Sequence, residues 1–310
     1  MKILLIGYNR IGDTILSTGL FNFLLNKYKN ASFTIVTSSI SVSIFEDMPQ
    51  LEELIIVDKK KYSLHWLEIW VKTKSVKWDL IVDLRSSSLA NILSCKQKMI
   101  FKGNMHEHKL DQLKKFIGSK DDFKPKIWAN NNYLDIYERK NLKNNYICIA
   151  PISNFPGKDW SIKKYTSLLE NDLFKSYDIV ILGATSDKKE LDNINQLVQG
   201  SSQVIKNLIN DANLIETYFI LKKAALFLGS DSANMHMAVA ANIPTIGLFG
   251  PTNEKLYGPL GKNNLSLRGD KSFSEIVNQL DYKSGKIKSY LDNLSVTKVH
   301  KEIERILESK

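Results

Sequence analysis

The sequence predicts an α/β protein built of two successive doubly wound units, each a parallel sheet covered by helices on both faces. Three observations predict it. Short, continuously apolar runs alternate with longer segments of helical periodicity from the first residues on, the pattern of strands buried on both faces. The alternation pauses once, in a polar, asparagine-rich stretch, and then restarts. At 310 residues the chain also exceeds the usual size of one core, so two domains of about 150 residues each are expected.

In the first half, KILLIG (2–7) reads as a buried strand and TILSTGLFNFLLNKY (14–28) as a helix with a repeating apolar face. SFTIVTS (32–38), ELIIVD (53–58), LIVDLR (80–85) and KMIFKG (98–103) follow as strands. The segment YSLHWLEIWVKTKSVKW (62–78) sets Trp66 and Trp70 four residues apart with Lys72, Lys74 and Lys77 behind them. It reads either as a helix lying on a membrane surface or as a crossover helix packed on the sheet, and the strand that follows at once favours the second. The stretch WANNNYLDIYERKNLKNN (128–145) marks the boundary, giving domains 1–145 and 146–310.

In the second half YICIAP (146–151), YDIVILG (177–183), SQVIKN (202–207), ALFLGS (225–230) and PTIGLFG (244–250) are strands with helices between them. The last helix has Ser295 as its cap and an apolar stripe at Val296, Val299, Ile303, Ile306 and Leu307, and is expected to close the second domain or pack back on the first. Folds of this type bind ligands beyond the carboxyl ends of their strands.

Composition narrows the class. With 43% hydrophobic and 25% charged residues the chain is an ordinary globular one, not a disordered one. The apolar run at its start is too short for a secretion signal, and no run reaches the roughly 20 apolar residues of a membrane span. Cys95 and Cys148 have no metal-ligand pattern around them and read as free thiols of a reducing cytoplasm. Net charge is +10, and residues 1–145 carry 23 basic against 15 acidic side chains, so the surplus lies in the first half. This favours an anionic partner. Nucleic acid has only the charge in its favour and is not expected.

Two loops carry the chemistry of the second half. In GSDSANMHMAVAANIP (229–244) a strand ends at Gly229, Asp231 and Ser232 form the turn, and a helix of small residues begins. Free N–H groups at such a helix start make an anion site without a basic side chain; Asp231 read alone is simply a helix cap. In APISNFPGKDW (150–160) Ser153, Asn154 and Lys158 place hydroxyl, amide and ammonium donors in one loop, a set suited to a phosphate. His236 lies on the alanine-rich helix and reads as a packed histidine or a ligand. His106 and His108 have metal-like spacing without further ligands. In the first half, GYNRIGDT (7–14) matches the phosphate loop GxxxxGK[ST] at Gly7, Gly12 and Thr14, but Asp13 replaces the lysine. It also lacks the central glycine of GxGxxG, so a dinucleotide-dependent oxidoreductase is a poor match.

Together IGDTILSTG, SNFPGKDW, ILGATSDKKE and GSDSANMHMAVAANIPTIGLFGPTNEKLYGP resemble, in order and spacing, the motifs of glycosyltransferase family 9, the ADP-heptose:lipopolysaccharide heptosyltransferases. The resemblance runs from residue 1 to about residue 265 and is most specific in the last block. It implies the GT-B fold, two Rossmann-like domains facing each other across a cleft, and inverting transfer of a sugar from a nucleotide sugar, ADP-heptose first among them, to an anionic glycolipid. No further cofactor and no metal are implied, and no D-x-D triplet occurs. By the same resemblance Asp13 is the general base on the loop at Gly12. Ser153 and Asn154 form the polar donor loop, and Lys158 binds phosphate and aids catalysis. Asp187 lies near the nucleoside, and Asp231, Ser232, Ala233 and His236 form the D-[ST]-G-x-x-H element of the donor site. The chain departs from the family at Ala233, where the usual residue is glycine, at Gly19, where many members have proline, and at Asn154, in place of a hydroxyl residue. An alanine at 233 is strained if that position needs a positive φ. The resemblance places the enzyme in the cytoplasm, at the inner face of the membrane. A same-fold transferase with another nucleotide sugar or a protein acceptor, and a non-catalytic nucleotide-sugar or glycan-binding module, are the alternatives.

Overall fold

The computed structural model describes residues 1–120, 123–130, 133–143, 145–201, 203–279 and 289–309. The chain divides into two compact units, Met1–Asn131 and Asn132–Lys310.

The first unit is a five-stranded parallel sheet of β1 (Lys2–Ile6), β2 (Ser32–Thr37), β3 (Leu51–Ile56), β4 (Trp78–Asp83) and β5 (Cys95–Ile100) in the order β3-β2-β1-β4-β5. β1 lies at the centre, and Ile3 to Ile6 are fully buried. Its helices are α1 (Ile11–Lys27), α2 (Leu64–Thr73), α3 (Leu89–Ile92) and α4 (Lys109–Phe116). α2 and α3 cover the face that presents Leu4 and Ile6, while α1 packs with α4. β3 and β5 start two and three residues earlier than the apolar runs indicate. They are the edge strands, with one neighbour each and half their side chains in solvent, so their hydrophobicity marks their extent poorly.

Segment 123–126 crosses α1 closely. The amide of Lys126 donates to Thr18 Oγ1 at 2.8 Å, and a Cβ built on Gly19 would stand 2.8 Å from the Lys124 carbonyl oxygen. Gly19 is therefore a close-approach position inside a helix. This accounts for a residue otherwise unfavourable there.

The second unit opens with α5 (Ile136–Arg139) and contains β6 (Tyr146–Ala150), α6 (Ile162–Leu169), β7 (Asp178–Ile181), α7 (Lys188–Gly200) and β8 (Ile205–Asn207). It continues with α8 (Leu214–Lys223), β9 (Leu226–Ser230), α9 (Ala233–Ala240), β10 (Thr245–Phe249), α10 (Glu254–Tyr257), β11 (Asn264–Arg268), α11 (Phe273–Val277) and a C-terminal helix (Val296–Glu308). The six strands are parallel in the order β11-β10-β9-β6-β7-β8. β11, NLSLR, is not among the strands expected from apolar runs. Only its pairing with β10 makes it one.

The polar stretch before β6, expected to close the first domain, is fastened to the second. Tyr133 stacks on Phe219 at 5.8 Å, Tyr137 Oη donates to the Phe219 carbonyl at 2.5 Å, and Arg139 bonds Glu216 at 3.1 Å. The unit boundary accordingly falls at 131/132 rather than 145/146. Ser295 caps the C-terminal helix by accepting from the Lys298 amide. The buried stripe of that helix, Val299, Ile303 and Ile306, joins the core around β6 and α6 of its own unit. Both cysteines are free, Cys95 half-buried and Cys148 buried in β6, where burial pushes the thiol pKa well up.

Gly19→Ala should lower stability by about 1 to 3 kcal/mol despite alanine's better helix propensity, measured by chemical denaturation. A neutral or stabilising result would mean that segment 123–126 yields at no cost.

Candidate functional site

In a parallel sheet the carboxyl ends of the strands form one edge, and adjacent strands put their following loops side by side. β6 pairs with β9, so the loop after β6 meets the turn after β9. Lys158 Nζ donates to Asp231 Oδ2 at 2.8 Å and to the Asp231 carbonyl at 3.2 Å. Ser230 Oγ donates to the Lys158 carbonyl at 2.7 Å. His236 Nε2 stands 3.6 Å from Asp231 Oδ1. Asp231 and His236 are buried, so Asp231 has a cation on one oxygen and an imidazole on the other. Two bonds leave the ammonium of Lys158 one further donor.

α9 begins directly beyond, with Ser232 extended at its N-cap. Ser232 makes no capping bond, and its Oγ is buried without a partner. The first N–H groups of α9 thus lie beside a free hydroxyl and the Lys158 ammonium. Ala233 is not among the described residues with positive φ. It is the first residue of a regular helix, and the strain expected for an alanine there does not arise. Gly229 is the glycine that the packing requires, since a Cβ on it would meet the Ala150 carbonyl at 2.9 Å.

The same loop borders a groove of about 660 Å³ lined by Ser153, Asn154, Thr185, Asp187, Glu190 and Asn210. Asp187 faces it but spends Oδ1 on the N–H groups of Lys189 and Glu190 as the cap of α7. Glu190, which the sequence reading missed, accepts from Thr185 Oγ1 at 2.5 Å. Asn210, at φ 59°, ties the two sides of the groove through Thr185 N and O. Ser153 Oγ turns back to the Phe155 carbonyl at 2.9 Å, and Asn154 is exposed.

Asp159 and Arg268 also escaped the sequence reading. Burial raises the Asp159 carboxyl from 3.8 to about 7, against the donors of Ser153 and the charge of Lys158, and its Oδ1 has no partner. Arg268 on β11 grips the turn after β10: Nε bonds Glu254 at 3.1 Å, and its Nη groups reach the carbonyls of Gly250 and Thr252. For Glu254, burial is opposed by the Arg268 bonds, which prevail and lower its pKa. A lone arginine in a short polar strand carried no signal.

In the first unit Gly12 and Asp13 lie in the first turn of α1, just past the carboxyl end of β1, and Asp13 is half-buried. Lys109 interacts with it, and Arg85 lies past the neighbouring strand. Lys109 Nζ sits 5.0 Å from the Tyr8 ring centre and 4.6 Å from that of Phe101; burial lowers its pKa while the charge of Asp13 acts to raise it. Arg85, two residues past β4, stacks on Trp66 at 4.2 Å and lies 3.3 Å from His65 Nε2. Its Nη1 is buried without a partner, and burial lowers its pKa against the charge of Asp83. His108 Nδ1 caps α4, His106 is exposed, and no cluster of three potential metal ligands occurs among the described residues.

Two parallel-sheet units with charged groups at the strand ends define an α/β protein of the GT-B architecture. The structure of a glycosyl transferase family 9 protein from Veillonella parvula superimposes with a TM-score of 0.80 at 18% identity, covering 100% of this chain and 97% of that one. The ADP-heptose lps heptosyltransferase II of Escherichia coli does so with a TM-score of 0.74 at 17% identity, covering 100% and 99%. The family model for glycosyltransferase family 9 (heptosyltransferase) matches residues 74–282. The chain belongs to this family and is a glycosyltransferase. A lipooligosaccharide heptosyltransferase 2 of Campylobacter jejuni is 25% identical over 273 residues, 83% of each chain.

Because Asp159 titrates near 7 in the fold and near 3.8 when unfolded, the folded state holds a proton between these values that the unfolded chain has lost. Stability should therefore fall as pH rises through this window. Asp159→Asn should flatten that slope in denaturation curves at about pH 5 and about pH 8; an unchanged slope would assign the effect elsewhere.

Proposed function

We propose that the chain transfers heptose from ADP-heptose to the inner core of lipopolysaccharide or a related anionic glycolipid, with inversion, at the inner face of the cytoplasmic membrane. The observation that carries this reading is the Lys158–Asp231 pair at the start of α9, in a chain of the heptosyltransferase family. There the free donor of Lys158, the hydroxyl of Ser232 and the first N–H groups from Ala233 on receive the leaving diphosphate. His236 braces Asp231. Ser153 and Asn154 bind the donor from the loop, and Asp187, with Glu190, lines the groove for the nucleoside.

Asp13, on the loop at Gly12, takes the proton of the acceptor hydroxyl as that oxygen attacks the anomeric carbon, and ADP departs from the opposite face. Charge on the leaving group is neutralised by Lys158 and α9. In this reading no cofactor and no divalent metal are required. Lys109, which interacts with Asp13, and Arg85, just past β4 at the same strand edge, suit an acceptor that carries phosphate or carboxylate.

Incubation with ADP-heptose and a Kdo-lipid A acceptor should release ADP; a panel of other nucleotide sugars that turn over in its place would overturn the donor assignment. Asp13→Asn should cut transfer by about 10² to 10⁴ while calorimetric donor binding stays near the wild-type value. Full activity in that variant would exclude Asp13 as the base. Lys158→Met should cost about 10² to 10³ in kcat and weaken ADP binding as well, a combination that Asp13→Asn does not give.

A further inference from the structure

α2 has two apolar faces and the fold uses one. Ile69 is fully buried, and Trp66 and Trp70 pack beside it on the sheet around Leu4, Ile6 and Val36. The opposite face holds Leu64, Leu67 and Val71, which are 54%, 57% and 53% exposed, with Tyr62 just before the helix 93% exposed. Leu64, Leu67 and Val71 are spaced i, i+3 and i+7, so they form one stripe along the helix. A helix that only covers a sheet carries polar residues there.

Lysines frame this stripe. Lys59, Lys60 and Lys61 precede it and Lys72, Lys74 and Lys77 follow it, all exposed. Glu68 is the only acid between residues 59 and 77, and it is paired with Lys60 at 2.5 Å and Lys72 at 3.2 Å. We propose that this outer face of α2 docks on an anionic lipid surface, its apolar stripe entering the boundary of headgroups and acyl chains and its lysines meeting lipid phosphates. Charge selects the occupant: a second copy would set this lysine frame against its like, whereas an anionic leaflet supplies the missing counter-charge. Position supports it as well. His65 at the start of α2 touches Arg85 just past β4, so the helix begins at the same edge of the first sheet where Asp13 stands. The inference deepens the reading of a glycolipid acceptor and rests on it for its purpose, to bring that edge to the leaflet holding the acceptor.

The test is flotation of the full chain with phosphatidylglycerol-containing vesicles and with pure phosphatidylcholine vesicles. Binding to the first and not the second is expected, weakening with salt. Lys72→Gln with Lys74→Gln should weaken it roughly thirtyfold, and Leu67→Asp with Val71→Asp at least about tenfold. Turnover of a delipidated, water-soluble acceptor should be unchanged in both. The proposal is overturned if the wild type ignores anionic vesicles, if both double variants bind as it does, or if the apolar variant instead dissociates an oligomer seen by light scattering without lipid. Failure of the transferase reading would look different: no ADP release from any acceptor, with vesicle binding intact.

Discussion

The ion pair between Lys158 and Asp231 holds the second unit's site in place. A largely buried carboxylate is costly to desolvate and needs partners on both oxygens. Asp231 finds Lys158 at 2.8 Å and His236 at 3.6 Å. This arrangement exists because β6 and β9 are neighbours in the sheet, although their loops are some seventy residues apart in the chain. The loop that carries Lys158 is pinned from the other side too. Gly157 accepts from the Tyr290 amide at 3.1 Å, Asp159 from Ser289 Oγ at 2.6 Å, and Trp160 donates to the Leu294 carbonyl at 3.0 Å. The lysine is thus held by backbone on both sides and is not a solvated loop residue.

The first unit treats charge in the opposite way. Asp83 is fully buried and accepts from the amides of Arg85 and Ser87 and from the Ser87 hydroxyl, with the charge of Arg85 acting on it as well. The cations nearby are held by ring faces: Arg85 by Trp66, Lys109 by Tyr8 and Phe101. Ring faces stabilise a cation without cancelling it, so these contacts leave the charges of Arg85 and Lys109 in place.

Legibility in the sequence followed the strength of local signals. β1, buried on both faces, is an unbroken apolar run, and Ser295 before a striped helix announces its own cap. The turn at Asp231 and the loop at Lys158 stood out because glycine, hydroxyl and small residues cluster there for local reasons. β11 did not, because a strand of polar and apolar residues mixed is defined by its neighbour. The segment from Tyr133 to Lys140 read as a linker from its asparagines, yet its aromatic and charged side chains bind α8. Asp187 drew attention as an acid, but its carboxylate is committed to capping α7, and Glu190 shares the groove with it.

By itself the sequence determined the two parallel-sheet units, the order of the motifs and the residue types at the strand ends. Hydrophobic period and turn chemistry are local properties of the chain, and these features follow from them. Only the tertiary structure decided which side chains share a charge: that Lys158 pairs with Asp231, that Asp159 is buried enough to titrate near 7, that Arg268 grips the turn after β10, and that α2 keeps one apolar face outward. Burial and pairing depend on strands and loops far apart in sequence meeting at one edge, and no local pattern encodes that meeting.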